Sequence, residues 1–182
     1  MRTCRKILRA CVLVILLVHP AFTQNKNDTE RSCREFVQAF YDWYVPKSLR
    51  GHNGPASDPA LKYKRSLFSD ELVRGLSEDS AAQAKSDEIV GLDFDPFLNS
   101  QDPSEHFVVR SVTRKGDRYW VEVRGVQSGK FRETVIPELV FTKEGRWQFV
   151  NFHYGKSEFF EDENLLRTLE LLRQDREKGG KR

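Results

Sequence analysis

Asp93, Asp95, Asn99 and Asp102 place four oxygen donors within ten residues. Donors at that density suit either a hard cation or a tight backbone turn. A calcium loop of the EF-hand type needs Gly at its sixth position and Glu at its twelfth. Counted from Asp93, those positions hold Leu98 and Ser104, so the pattern fails and no metal is assigned. Asp beside Pro commonly caps a turn and satisfies backbone donors. Asp93, Asp95, Pro96, Phe97 and Asp102 are therefore read as a structural junction. His52, His106 and His153 are too scattered for a zinc site.

General acid–base chemistry needs a carboxylate or imidazole whose surroundings move its pKa toward neutrality. The available groups are Asp93, Asp95, Asp102, His106, His153 and Tyr154. In the last apolar run, strict alternation puts Trp147, Phe149, Asn151 and His153 on one face. Val150, Phe152 and Tyr154 fall on the other. The first face runs from apolar to polar, as a pocket wall would. Tyr41, Asp95, Gln101 and His153 make the candidate ligand-binding set, and a bulge at Pro137 or near Asn151 would reverse that phase. No catalytic residue and no cofactor is assigned.

These groups must be positioned by two kinds of element. Before residue 93 apolar residues recur at helical spacing, and after residue 102 they alternate as in strands. Ser32 and Glu35 form a capping-box pattern, so a helix is expected to begin near Asp28 or Ser32. Its stripe is Cys33, Phe36, Val37, Phe40 and Tyr44, and Pro46 is expected to end it. Residues 47–59 read as a loop containing His52, and residues 60–68 as a short helical segment. Ser69 reads as the N-cap of a helix carrying Leu72, Val73 and Leu76. Four strands follow, joined by short turns at Lys115-Gly116-Asp117, Ser128-Gly129-Lys130 and Glu144-Gly145. Pro137 implies a bulge or an edge. A final amphipathic helix is expected over residues 162–176, with Leu165, Leu166, Leu169 and Leu172 as its apolar face. Glu163 and Arg167 would be an i, i+4 pair on it.

The first 23 residues read as a secretory signal. Arg2, Arg5, Lys6 and Arg9 precede an apolar run over residues 11–18, and Ala21 and Thr23 are the small residues of a cleavage site. The run is shorter than a membrane span of about 20 residues, so no stable anchor is expected after cleavage. The whole chain of 182 residues has 30 Lys and Arg against 27 Asp and Glu. Without those four basic residues the balance is 26 to 27, a net charge of −1. That removes the compositional case for nucleic acid. Residues 24–27 read as a lead-in, 28–176 as a single α+β domain, and 177–182 as a disordered charged tail. Asn27-Asp28-Thr29 matches the glycosylation pattern. Cys33 is the one cysteine left after cleavage, so the core rather than a disulfide must hold the domain. It is expected to be buried.

Three stretches taken in order carry a family resemblance. They are Phe40-Tyr41-Asp42-Trp43-Tyr44, then Asp95-Pro96-Phe97 with Gln101-Asp102, then Trp147-Gln148-Phe149-Val150-Asn151-Phe152-His153-Tyr154. The chain resembles bacterial exported proteins grouped as domain of unknown function 3828, over most of residues 30–172. The resemblance implies a nuclear-transport-factor-two-like, or cystatin-like, cone: N-terminal helices on a strongly bent four-stranded antiparallel meander. It also implies periplasmic or extracellular location, and no agreed activity. The leucine-rich residues 162–176 are longer than that family's end. The functional expectation is an exported, non-catalytic binding module for a small apolar ligand or a partner protein. A homodimer through the sheet face is a further expectation. The alternative is a cofactor-free enzyme using an Asp or His153 as general acid or base.

Overall fold

The computed structural model describes residues 26–51, 54–155 and 163–179. The expected signal, His52 and the last three residues of the expected tail lie outside the described residues. The architecture is α+β: helices pack on one face of a five-stranded antiparallel sheet of order β1-β2-β3-β4-β5. Among the described residues no helix is long and apolar enough to cross a membrane.

Helix α1 spans Lys26–Ser48, so it takes in two residues of the expected lead-in. It also passes Pro46, where the sequence suggested an end. Proline disrupts the turn before it, while later N–H groups keep their acceptors; Leu49 N donates to Val45 O at 3.0 Å. Ser32 is no cap. It lies well inside the helix, and its Oγ accepts from Trp147 Nε1 at 2.9 Å. The expected stripe is present: Cys33, Val37, Phe40 and Tyr44 are buried, and Phe36 packs against the core. Burial pushes the Cys33 thiol up to about 12, which leaves almost no nucleophilic thiolate. Thiol labelling of the folded protein should therefore be slow and should accelerate sharply in denaturant. Fast labelling under native conditions would contradict this burial.

Helix α2 spans Asp58–Lys64 and runs into a 3₁₀ turn at Arg65–Leu67. Helix α3 spans Asp70–Gln83, with Ser69 Oγ accepting from Leu72 N as N-cap. Strands β1 (His106–Lys115), β2 (Arg118–Gln127), β3 (Lys130–Phe141) and β4 (Trp147–Gly155) form the meander. The β2–β3 turn has positive φ at both Ser128 (50°) and Gly129 (75°), as a two-residue hairpin of this hand requires. Glu163–Asn164 adds a fifth strand, β5, where a helix was expected to be under way. That removes the Glu163–Arg167 helical pair. Helix α4 then spans Leu165–Gly179, three residues past the expected end at 176. Asn164 caps it, its Oδ1 accepting from Arg167 N at 3.1 Å. Helices α3 and α4 meet closely at Gly75, where an added Cβ would stand 3.1 Å from Leu169 Cδ1.

Pro137 is not on an edge strand. It sits in central β3, where the ladder to β2 is interrupted between Val135↔Val123 and Glu138↔Trp120. The consequential irregularity lies opposite, on β4. Pairing runs Leu139↔Phe149 and then Glu138↔Asn151, so Val150 is an extra residue. The bulge reverses the phase of everything after it. Trp147 and Phe149 face the helices, and so do Phe152 and Tyr154. Asn151 and His153 turn to the opposite face.

The first half of the β1 edge, at residues 107–110, is covered by α1. Gln38 Nε2 donates to Phe107 O at 3.0 Å, and Gln38 Oε1 accepts from Val109 N at 2.9 Å. Arg34 donates to Val109 O and Arg110 O. Between sheet and helices Phe40 is ringed by Tyr44, Phe68, Phe97 and Phe149, with centroids 4.9–5.7 Å away.

Candidate functional site

The junction is built on a tight turn. Asp95 N donates to Ser100 O at 2.9 Å, and Leu98 N and Asn99 N both donate to Asp95 O. Asn99 closes the turn at φ 51°, a conformation Asn tolerates better than most residues. Phe97 and Leu98 are thereby pressed into the core, fully buried. Three aromatic hydroxyls hold the segment from the helix and sheet sides. Tyr41 donates to Phe97 O at 3.0 Å, and Tyr154 donates to Pro96 O at 2.9 Å. Tyr44 reaches Asp95 itself.

Asp95 is 5% exposed. Its Oδ1 accepts from Phe97 N at 3.0 Å, and its Oδ2 accepts from Ser48 Oγ at 2.7 Å. Tyr44 Oη lies 2.9 Å from Asp95 Oδ2 and 2.7 Å from Ala56 O. A phenol has one proton, so with Asp95 ionised it can donate to only one of those two acceptors. A protonated Asp95 would donate to Tyr44 Oη and free the phenol proton for Ala56 O. Burial raises the Asp95 pKa to about 6, against the lowering effects of Ser48, Phe97 N, Tyr44 and Leu98 N.

The sign of the resulting pH dependence follows. Between the ordinary carboxylate value of 3.8 and about 6, the folded state binds more protons at Asp95 than the unfolded state does. Stability contributed at this site therefore falls as pH rises through that window, and is level above it. The loss is on the order of 3 kcal/mol at most. Denaturant titrations across the window should show this slope in the wild type and lose it in Asp95→Asn. An unchanged slope in the variant would remove Asp95 as its source.

Beside this turn lies a cleft of about 820 Å³. One wall is Ser48, Gly51, Gly54, Pro55 and Ala56, and another is the end of α3 at Asp79, Gln83 and Ala84. The third is the junction, from Ile89 to Pro103. Pro55, Ile89, Leu92, Phe94 and Pro103 supply apolar surface, while Asp93, Asp95 and Gln101 are the polar groups on the junction side. Asp93 and Gln101 are exposed and joined, Gln101 Nε2 donating to Asp93 Oδ2 at 3.3 Å.

Of the four expected ligand-binding residues, the structure brings Asp95 and Gln101 together in the cleft. Tyr41 is buried, with its hydroxyl spent on the Phe97 carbonyl, and touches a separate hollow beside β1. His153 is removed from the site altogether by the Val150 bulge. Its Nε2 lies 2.9 Å from Glu138 Oε2, and its ring packs on Trp120 with centroids 4.0 Å apart. Arg118 Nη1 donates to the other Glu138 oxygen at 3.3 Å. Asp102 is exposed and donates through its backbone N–H to Ser100 Oγ.

Two cleft residues escaped the sequence reading. Asp79 Oδ2 accepts from Leu92 N at 2.9 Å, and its Oδ1 accepts from Arg176 Nη1 at 2.8 Å. Gln83 Oε1 accepts from Val90 N and Gly91 N, and its Nε2 donates to Glu88 O. Together they pin residues 88–92 as a wall. The signal was present in the spacing. Leu72, Leu76, Asp79 and Gln83 continue a single helical stripe at steps of four, three and four. Two polar residues on the inward stripe call for buried backbone partners.

Comparison with protein-family models, with curated proteins and with solved structures finds no match to this chain.

Proposed function

We propose that this chain is an exported, non-catalytic binding domain whose small ligand occupies the cleft between the junction, residues 54–56 and α3. The observation that carries the reading is the cleft's makeup. Apolar walls meet a few fixed polar groups, the usual composition of a ligand pocket, and the volume lies in the usual range. Asp95 at its base is engaged by Tyr44, Ser48 and Phe97 N. His153, the imidazole considered as its partner, is on the other face of the sheet. The arrangement suits recognition more than proton transfer.

The same reading takes the fold as a cone of the nuclear-transport-factor-two-like kind, and the chain as kin to the exported family of unknown function. In support, the three stretches behind that resemblance meet at one place. Tyr41 and Tyr44 bond the junction from α1, and Tyr154 bonds it from β4.

Amide shifts in a ¹⁵N-labelled protein test the reading. On titration with apolar fragments, shifts should cluster on residues 54–56, 79–84, 89–95 and 100–103. Ala84→Trp, which fills the cleft from the end of α3, should abolish them. Shifts confined to the open sheet face would overturn the proposal. A second reading, acid–base chemistry by Asp95, draws on its raised pKa, which is a mark of functional carboxylates. A turnover lost specifically in Asp95→Asn would favour it.

A further inference from the structure

We infer that the ligand of this cleft is a small organic cation: a protonated amine carried on an apolar body. The inference rests on the cleft being the ligand site. Its first support is charge. Residues 86–109 include Asp87, Glu88, Asp93, Asp95, Asp102 and Glu105, and no Lys or Arg. That run supplies the junction wall. Among the described residues, the cleft's lining has three carboxylates, at Asp79, Asp93 and Asp95, and no Lys, Arg or His. The guanidinium standing near it, Arg176, is committed to Asp79 Oδ1 and Val90 O at 2.8 and 2.9 Å. It balances Asp79 and leaves Asp93 exposed on the rim and Asp95 buried behind it, with no cationic side chain among the described residues paired to either.

The second support is the apolar surface beside those charges. Ile89 is 77% exposed, an unusual position for so large an aliphatic side chain. Leu92, Phe94, Pro55 and Pro103 continue that surface into the cleft. An uncharged apolar molecule would gain burial alone. An anion would meet carboxylates in a partly desolvated space, where like charges repel strongly. A cation with an apolar body gains from both features. Asp93 is the natural contact for its head, being exposed on the rim with one carboxylate oxygen steadied by Gln101. Asp95, bonded inward, contributes through its field.

The test uses three probes of one shape: n-hexylamine, n-hexanol and hexanoate. They are titrated at neutral pH into the ¹⁵N-labelled protein, with the amides of residues 89–103 as readout. Hexylammonium should bind about tenfold or more tighter than hexanol, and hexanoate should be weakest. Added salt should weaken the amine and spare the alcohol. Asp93→Asn, an exposed change that leaves the core untouched, should lower the amine's affinity about fivefold with no effect on hexanol. If hexanol binds as tightly as the amine, or Asp93→Asn leaves the amine unchanged, the cation inference falls and the cleft reading stands. If none of the probes moves the cleft amides, both fall.

Discussion

Phe97→Ala should lower the stability of the domain by about 3–5 kcal/mol. The ring is fully buried and meets Phe40, Tyr44, Phe68 and Phe152, with centroids 5.7, 5.2, 5.3 and 5.0 Å away. Those neighbours belong to α1, the segment before α3, and β4. Removing the ring leaves a cavity they cannot collapse to fill, because each is held by its own element. The backbone on either side is also fixed: Phe97 N donates to Asp95, and Phe97 O accepts from Tyr41. A domain of this size is stable by about 5–15 kcal/mol, so the loss is a large share. Thermal unfolding should fall by roughly 6–20 °C. Urea titration should show a lower midpoint with an unchanged slope. A loss below 1 kcal/mol would mean that the junction is not wedged into the core.

The second large effect is expected at Arg176. Its guanidinium joins α4 to Asp79 on α3 and to the Val90 carbonyl. The Asp79 side chain is 5% exposed. Arg176→Ala would leave that carboxylate buried with only the Leu92 amide as partner, at about 3–5 kcal/mol. Replacing both residues with apolar ones of similar volume should recover much of the loss, since the desolvation penalty goes with the pair. A double-mutant cycle on Asp79→Leu and Arg176→Met measures this. Purely additive losses would mean that the two side chains do not interact. Losing the pair should also loosen residues 88–92, so any cleft ligand should bind more weakly to Arg176→Ala.

What could be read from the sequence follows a physical line. Local signals held where the deciding neighbours are local. The Ser69 cap, the Leu72, Val73 and Leu76 face, and the turn at Ser128-Gly129 each depend on residues a few positions apart. Cys33 lies inside because its helical stripe is apolar, and Phe97 because the local turn presses it into the core. Signals failed where a distant partner decides. Ser32 followed by Glu35 reads as a helix start, yet Ser32 serves Trp147, 115 residues away. The phase of β4 depends on how it pairs with β3, and a single extra residue at Val150 moved His153 to the other face. Asp79 falls on the inward stripe of α3, but its partners Leu92 N and Arg176 come from 13 and 97 residues away. The candidate site was half legible for the same reason. Asp95 and Gln101 belong to the local turn, whereas Tyr41 and His153 were placed by inference across the fold.

The two hydrogen bonds that Gln38 makes along β1 bear on how this chain behaves in company. A free strand edge is a template on which another molecule can lay a strand, and it is a common start of aggregation. Here one helical side chain imitates the missing strand, offering a donor and an acceptor at the right spacing. At the far side the edge is β5, two residues long, too short to template much. A chain still lacking α1 would expose the whole of β1, a run rich in Val, to its neighbours. Docking of the first helix therefore acts as a safeguard against intermolecular sheet growth along the first half of β1.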